Sequence, residues 1–365
     1  MKKLIAMALV AMTALSLVTG CTKNETASTE TGVDIEERMS IDVAGINGGM
    51  QTFPIYIAEK NGWFDEENID VNTIYFENGP VQMEAISSWD LATTGVGGVL
   101  SGVIAYDAQI IASPNSDDGT QRVYARPESP IVAAGQGHNS LNEEIYGDAD
   151  SWKGQRVLCT AGNVLQYLLI KTLGGVGLSI EDVDFVSMDT ATANSAFLAG
   201  EGDVVVLTGA VSLADDKKDY VMVSSGPLAE CGLDCNVVAT EDAVANKHDE
   251  IIAFLKAYFR AVEWISNNKE EAVQDLMTFC EETGKDLSEE SATVFINAEN
   301  FYSIEDNYNM LNDTVEGTDT CTMENRIMNI LEFFISAGNY AEGDDEKFAG
   351  HINNTFINEI YEADK

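Results

Sequence analysis

Few side chains in this 365-residue sequence are suited to acid–base or nucleophilic chemistry. The three histidines are His138, His248 and His351. His248 opens a long amphipathic stretch and His351 falls in a C-terminal helical one, where solvated or capping roles are usual. His138 sits in a Gly/Asn loop and is the one histidine expected near a cleft. The sequence has no Gly-x-Ser-x-Gly elbow, no His-Glu-x-x-His helix and no Gly-x-x-x-x-Gly-Lys-Ser/Thr phosphate loop. With Cys21 set aside, Cys159, Cys231, Cys235, Cys280 and Cys321 are odd in number, so a monomer keeps at least one free thiol. Cys231-Gly-Leu-Asp-Cys235 is a candidate disulfide across a short turn. A zinc site would need further ligands at fixed spacing, and histidine is scarce. Asn115-Ser116-Asp117-Asp118-Gly119 begins like a calcium loop but lacks the later bidentate Glu, and reads as a solvated acidic loop. These observations argue against an enzyme and for no cofactor and no metal.

What remains is hydrogen-bonding chemistry on glycine-bearing turns. Asn47-Gly48-Gly49-Met50-Gln51-Thr52, Thr94-Gly95-Val96-Gly97-Gly98 and Thr160-Ala161-Gly162-Asn163 each follow an apolar run and precede a helical one, and Thr208-Gly209 is a fourth such turn. In an open α/β sheet, loops of this kind lie at the C-terminal strand ends, where ligands bind. The free N–H groups and positive dipole ends of the helices accept polar or anionic groups there. The candidate binding residues are therefore Asn47, Gly48, Met50, Gln51, Thr52, Thr94, Gly95, Gly97, Thr160, Gly162, Asn163, Thr208 and Gly209. Met50, Phe53 or Tyr56 would cover an apolar part of the ligand. No Lys or Arg falls in these turns, so an anion would be held by N–H dipoles, and a neutral heteroaromatic ligand stays open.

The elements that must position these turns follow from periodicity. Residues 41–46 alternate as a strand, Pro54 suits the first turn of a helix capped at Thr52 or Phe53, and Gly62 ends it. Residues 69–76, 90–96 and 109–112 read as further strands, with helices opening at Asn78-Gly79-Pro80 and after Gly97-Gly98. The pattern restarts after Trp152, with strands at 156–159, 184–188 and 204–207 and helices at 164–173 and 192–198. Further strands are read at 220–223 and 236–239. Strand–helix alternation predicts an α/β protein with mostly parallel sheets covered on both faces. The remainder is helical, with Ile251, Leu255, Tyr258, Val262 and Ile265 on one apolar stripe.

At the N-terminus, Lys2 and Lys3 precede an uncharged, mostly apolar stretch at residues 4–18, which ends in Leu17-Val18-Thr19-Gly20-Cys21. This has the form of a signal peptide, and the small residues before Cys21 resemble the bacterial lipobox, which implies lipidation of Cys21 and a place on the outer face of the cell membrane. Residues 22–38 are polar and acidic and read as a disordered tether. The net charge of −41 excludes nucleic acid as a partner, which requires a basic surface.

Pro54-Ile55-Tyr56-Ile57-Ala58-Glu59-Lys60-Asn61-Gly62-Trp63-Phe64, followed by Glu67-Asn68-Ile69-Asp70-Val71, resembles the opening of the nitrate/taurine-type (NitT/TauT) substrate-binding proteins of ABC importers. Gly79-Pro80-Val81 with Asp90-Leu91-Ala92-Thr93-Thr94-Gly95, Trp152-Lys153-Gly154-Gln155-Arg156-Val157, and Phe197-Leu198-Ala199-Gly200-Glu201-Gly202-Asp203 continue the resemblance in order, over roughly residues 40–300. The resemblance implies a type II periplasmic-binding-protein fold: two α/β lobes with a ligand cleft, and C-terminal helices. Residues 39–127 and 226–365 would form lobe 1 and 128–225 lobe 2, closing by hinge bending near Arg126 to Pro130 and Ser224 to Pro227. It implies a monomer that delivers a small solute (sulfonate-, taurine- or nitrate-like, or a thiamin or riboflavin precursor) to a permease driven by an ATPase on separate chains. A surface adhesin, a sensor-associated binding protein, or a thiamin-pyrimidine-type enzyme are the alternatives on the same fold. At Thr208-Gly209 the sequence departs from the family's bulkier pattern, which leaves the ligand open.

Overall fold

Three apolar runs, β1 (Met39–Ile46), β2 (Ile69–Phe76) and β3 (Leu91–Thr94), pair in parallel, with Met39 opposite Ile69 and Val43 opposite Leu91. The computed structural model describes residues 38–213, 217–363 and 365, so the leader, Cys21 and almost all of the tether lie outside the described residues. Residues 38–365 form one compact unit. Its first sheet is completed by β4 (Gln109–Ser116), β10 (Asp234–Ala239) and β11 (Asn300–Phe301), in the order β11-β4-β10-β3-β1-β2. The second sheet holds β5 (Arg122–Ala125), β6 (Arg156–Cys159), β7 (Asp184–Ser187), β8 (Val204–Leu207) and β9 (Val221–Ser225), in the order β7-β6-β8-β5-β9.

Two expectations change. The sheets are mixed, not mostly parallel. β10 runs antiparallel to β3 and β4, and β5 runs antiparallel to β8 and β9. Both are strands that the chain enters directly after crossing between sheets, without a helix to reverse its direction. The first crossing also lies upstream of the expected hinge. β5, on the lobe 1 side of a boundary at 127/128, pairs in the second sheet, so the crossings are residues 117–121 and 226–233. Arg126 instead ties the second lobe together. Its guanidinium donates to the carbonyls of Phe197 (2.9 Å) and Gly202 (3.1 Å) and stacks 4.4 Å over the Phe197 ring.

The crossings are bonded to each other. Asp117 N donates to Leu233 O at 3.0 Å, and Gly226 N to Gln121 O at 2.9 Å. The C-terminal helices then lock the crossings from outside. The helix His248–Asn267 buries Ile251, Leu255, Tyr258, Val262 and Ile265, the stripe read from the sequence, and Tyr258 Oη donates to Gln51 O. Asn307 both accepts from Ser113 N (2.6 Å) and donates to Ser113 O (2.8 Å). Asn115 Nδ2 donates to Glu299 Oε2 at 2.6 Å. Asp234, with no exposed side-chain surface, takes Arg326 at 3.2 Å and the Tyr302 hydroxyl at 2.7 Å. Gly119 passes so close to the helix Glu289–Ala298 that an added Cβ would stand 1.9 Å from Ala298 O.

Two outcomes follow from this packing. Gly119→Ala must push the 117–121 crossing off Ala298, which overpacking data put at about 1–3 kcal/mol; a denaturant titration with unchanged m-value reads it. Burial holds the Glu299 carboxyl well above its usual range, with Asp117 adding to the rise. The native state therefore keeps a proton that the unfolded chain loses, and this contribution to stability is full below about pH 4.5 and declines as pH rises towards the raised value. Glu299→Gln removes that decline, so its melting temperature should gain on wild type between pH 5 and about 8; a constant difference across that range would refute the account.

Candidate functional site

Turns that end the parallel strands of the first lobe and start helices meet, together with the first residue of the second lobe's helix Val164–Gly174, at one cavity of about 340 Å³. From the first lobe come Ile46, Gln51, Glu77 to Pro80 and Gly95 to Gly98; from the crossings, Asp117, Leu233 and Cys235; from the second lobe, Val164. The helix Phe53–Lys60 carries Pro54 in its first turn, as the sequence predicts, and begins at Thr52. Asn78 caps the helix Gly79–Glu84 by accepting from Val81 N, and Gly95 precedes the helix Val96–Tyr106. These last two helix starts touch backbone to backbone. A Cβ on Gly79 would lie 2.7 Å from the Gly98 Cα and N, so glycine at both positions is what brings the two turns to one wall. A Cβ on Gly95 or Gly97 would meet nothing within 4 Å.

Of the residues read as ligand contacts, Gln51, Gly95 and Gly97 line this cavity. The others take local roles. Thr52 is buried, accepts from Ile46 N at 2.8 Å and pairs with the Thr93 hydroxyl at 2.9 Å, while Met50 lies in the core. Asn47 Nδ2 donates to Glu77 Oε1, and Gly48 N donates to the Thr283 hydroxyl. Thr94 is buried behind Gly79 and Gly98, and its hydroxyl has no partner among the described residues. Thr160 donates to Met188 O at 3.0 Å. Gly162, at φ +69°, donates to Gln166 Oε1 and lies beside Asn339. The Asn163 side chain caps its own helix, Val164–Gly174, by accepting from Leu165 N. Thr208 binds the side chains of Thr120 and Gln121 at 3.2 Å, next to Gly209 at φ +62°. Phe53 is fully buried.

Three further readings are corrected. Cys231 and Cys235 are both buried and free, not bridged. They face different surroundings, Cys231 towards Asp118 and Lys171, Cys235 towards Asn115 and Glu299. His138 is exposed near Asp148, away from the cavity. His248 pairs with Glu359 at 2.8 Å, and His351 lies against Phe348 O. The 115–119 segment is not a solvated loop. It is the end of β4 and the start of the first crossing, packed beside β10 and the end of the helix Glu289–Ala298, and it brings Asp117 into the cavity wall. Burial pushes the Asp117 carboxyl up to about 6; the Thr120 hydroxyl and the Gln121 amide favour its charged form, and Asp118 opposes it.

No lysine or arginine lines the cavity. At the rim, Lys285 is paired with Glu77 at 3.0 Å. The C-terminal region also reaches the second lobe, where Phe333 packs on Tyr167 with ring centroids 5.3 Å apart. Among the described residues, no group of three or more His, Cys, Asp or Glu side chains is arranged to hold a metal ion, and no helix is long and apolar enough to cross a membrane.

Residues 138–272 match the family described as NMT1/THI5 like. The chain is 23% identical over 259 residues to a putative ABC transporter periplasmic binding protein of Brachyspira hyodysenteriae, covering 70% of this chain and 74% of that one. It is 25% identical over 224 residues to a putative aliphatic sulfonates-binding protein of Bacillus subtilis, covering 60% of this chain and 64% of that one. The crystal structure of the periplasmic aliphatic sulphonate binding protein SsuA from Escherichia coli superposes with a TM-score of 0.64 at 14% identity, over 84% of this chain and 95% of that one. The chain thus has the fold of the periplasmic binding proteins, and its residues 138–272 carry the sequence pattern of the NMT1/THI5-like family.

Proposed function

We propose that this chain is the solute-binding lipoprotein of an ABC importer, held outside the cell by lipid on Cys21, and not an enzyme. One observation carries the reading: helix starts from the first lobe, both crossings and the second lobe's Val164 converge on a single cavity of about 340 Å³. That volume lies within the usual range for small-molecule sites. The similarity to a putative ABC transporter periplasmic binding protein supports it. The lobes close over the solute by bending at residues 117–121 and 226–233, and the closed form is what a permease on a separate chain recognises. The residues we assign to the solute are Gln51, Gly95, Gly97 and Asp117. Turn amides at the helix starts donate to the solute's hydrogen-bond acceptors.

A bound solute at about 100-fold over its dissociation constant should add roughly 2.7 kcal/mol to the unfolding free energy. A rise in melting temperature with a fall in the radius of gyration by solution scattering would establish capture with closure. Binding without compaction would leave capture standing and sink the hinge. Replacing Cys21 by Ala should move the protein from the membrane fraction to the soluble one; retention on the membrane would refute lipid anchoring.

A further inference from the structure

The charge inside the cleft opposes a free oxyanion. Among the side chains lining the cavity are the carboxylates of Asp117 and Glu77, and no cationic side chain. Two cations near the crossings and the rim are engaged by other carboxylates, Lys285 by Glu77 at 3.0 Å and Arg326 by Asp234 at 3.2 Å. Glu77 is exposed and neutralised by its lysine, so Asp117 is the carboxylate that faces the cavity without a counter-cation.

Behind Asp117, outside the cavity lining, lie further buried acceptors. Gln121 Oε1, Asn115 Oδ1 and Glu299 Oε1 are buried oxygens with no hydrogen-bond partner among the described residues, in side chains 4% exposed or less. Gln121 hydrogen-bonds Asp117, and Glu299 lies close enough to raise its own proton affinity through Asp117. A carboxylate held at low exposure without a counter-charge is costly. A positively charged or N–H-rich group in the cavity supplies what is missing; an oxyanion adds repulsion.

We propose that the solute is a small organic cation or amine, with its charged nitrogen seated on Asp117 and its apolar body against Ile46, Pro80, Val164 and Leu233. This rests on the solute-binding reading of the cleft. The start of the helix Val96–Tyr106 offers only a partial positive charge, roughly half a unit spread over its first amides. It suits a ring nitrogen or an oxygen acceptor on the same ligand and does not offset a full carboxylate charge.

The test is a calorimetric titration of the purified chain with five probes: thiamin, choline and agmatine as cations, ethanesulfonate and nitrate as anions. At least one cation should bind and neither anion should. Asp117→Asn, which keeps the shape and removes the charge, should weaken the cation by about tenfold or more, while a cooperative melt at or above the wild-type temperature confirms that it folds. Asp117→Lys should let ethanesulfonate in. An anion binding to wild type, or a cation whose affinity ignores Asp117→Asn, overturns the charge assignment and leaves the solute-binding reading standing. Silence from all five probes in wild type and in Asp117→Lys overturns the assignment and counts against the solute-binding reading as well.

Discussion

The structure depends on a constraint of connectivity: one chain builds two sheets and must pass between them twice. Each crossing strips backbone groups of their sheet partners, and buried N–H and C=O groups must be paired. The chain meets this by laying the crossings side by side, with Asp117 N on Leu233 O and Gly226 N on Gln121 O. A Cβ on Gly226 would lie 2.4 Å from Asp118 O, so the contact is as close as a backbone allows. On the proposed reading, hinge and ligand wall are the same segment, because the crossings line the cavity through Asp117 and Leu233.

The C-terminal third is arranged around this weak point. Asn307 pairs with the backbone of Ser113, Glu299 with Asn115, and Arg326 with Asp234, each just before a crossing begins or just after one ends. These are polar contacts at low exposure, and they specify register at some cost in desolvation. That cost is visible in the carboxyls of Asp234 and Glu299, both raised first of all by burial. These contacts brace the first lobe's strands up to the edge of the crossings. The C-terminal region also reaches the second lobe, with the helix Glu289–Ala298 against the helix Gly209–Leu213, Phe333 on Tyr167 and Asn339 beside Gly162.

Much of this was legible in the residues. β1, β2, the Pro54 helix start and the Ile251–Ile265 stripe follow from period and turn chemistry, which are local. β5 was missed because Arg-Val-Tyr-Ala is too short to show a period and follows an acidic turn. Its sheet membership is set by β8 and β9, some 80 to 100 residues away in sequence. The burial of Asp117 escapes the sequence for the same reason. Its burial comes from Leu233 and the 298–299 region, and nothing within ten residues announces them. Thr160, Asn163 and Thr208 have the right chemistry for a ligand, but their side chains are consumed by partners within the protein, two of the three distant in sequence.

The site also separates two scales of electrostatics that composition merges. A net charge of −41 is spread over the whole chain, and exposed charges are screened within about 8 Å at physiological salt. That excess keeps the protein soluble and shapes its surroundings, yet it does not choose a ligand. Inside the cavity the screening fails, and a single carboxylate without a cationic neighbour outweighs dozens on the surface. The periplasmic aliphatic sulphonate binding protein SsuA of Escherichia coli shares this fold. A fold does not by itself fix the ligand, whose charge is left to a few side chains. On the proposed reading those side chains lie on the crossings that bend, so a ligand that neutralises Asp117 would also act on the segment that moves, and recognition and closure would draw on the same interaction.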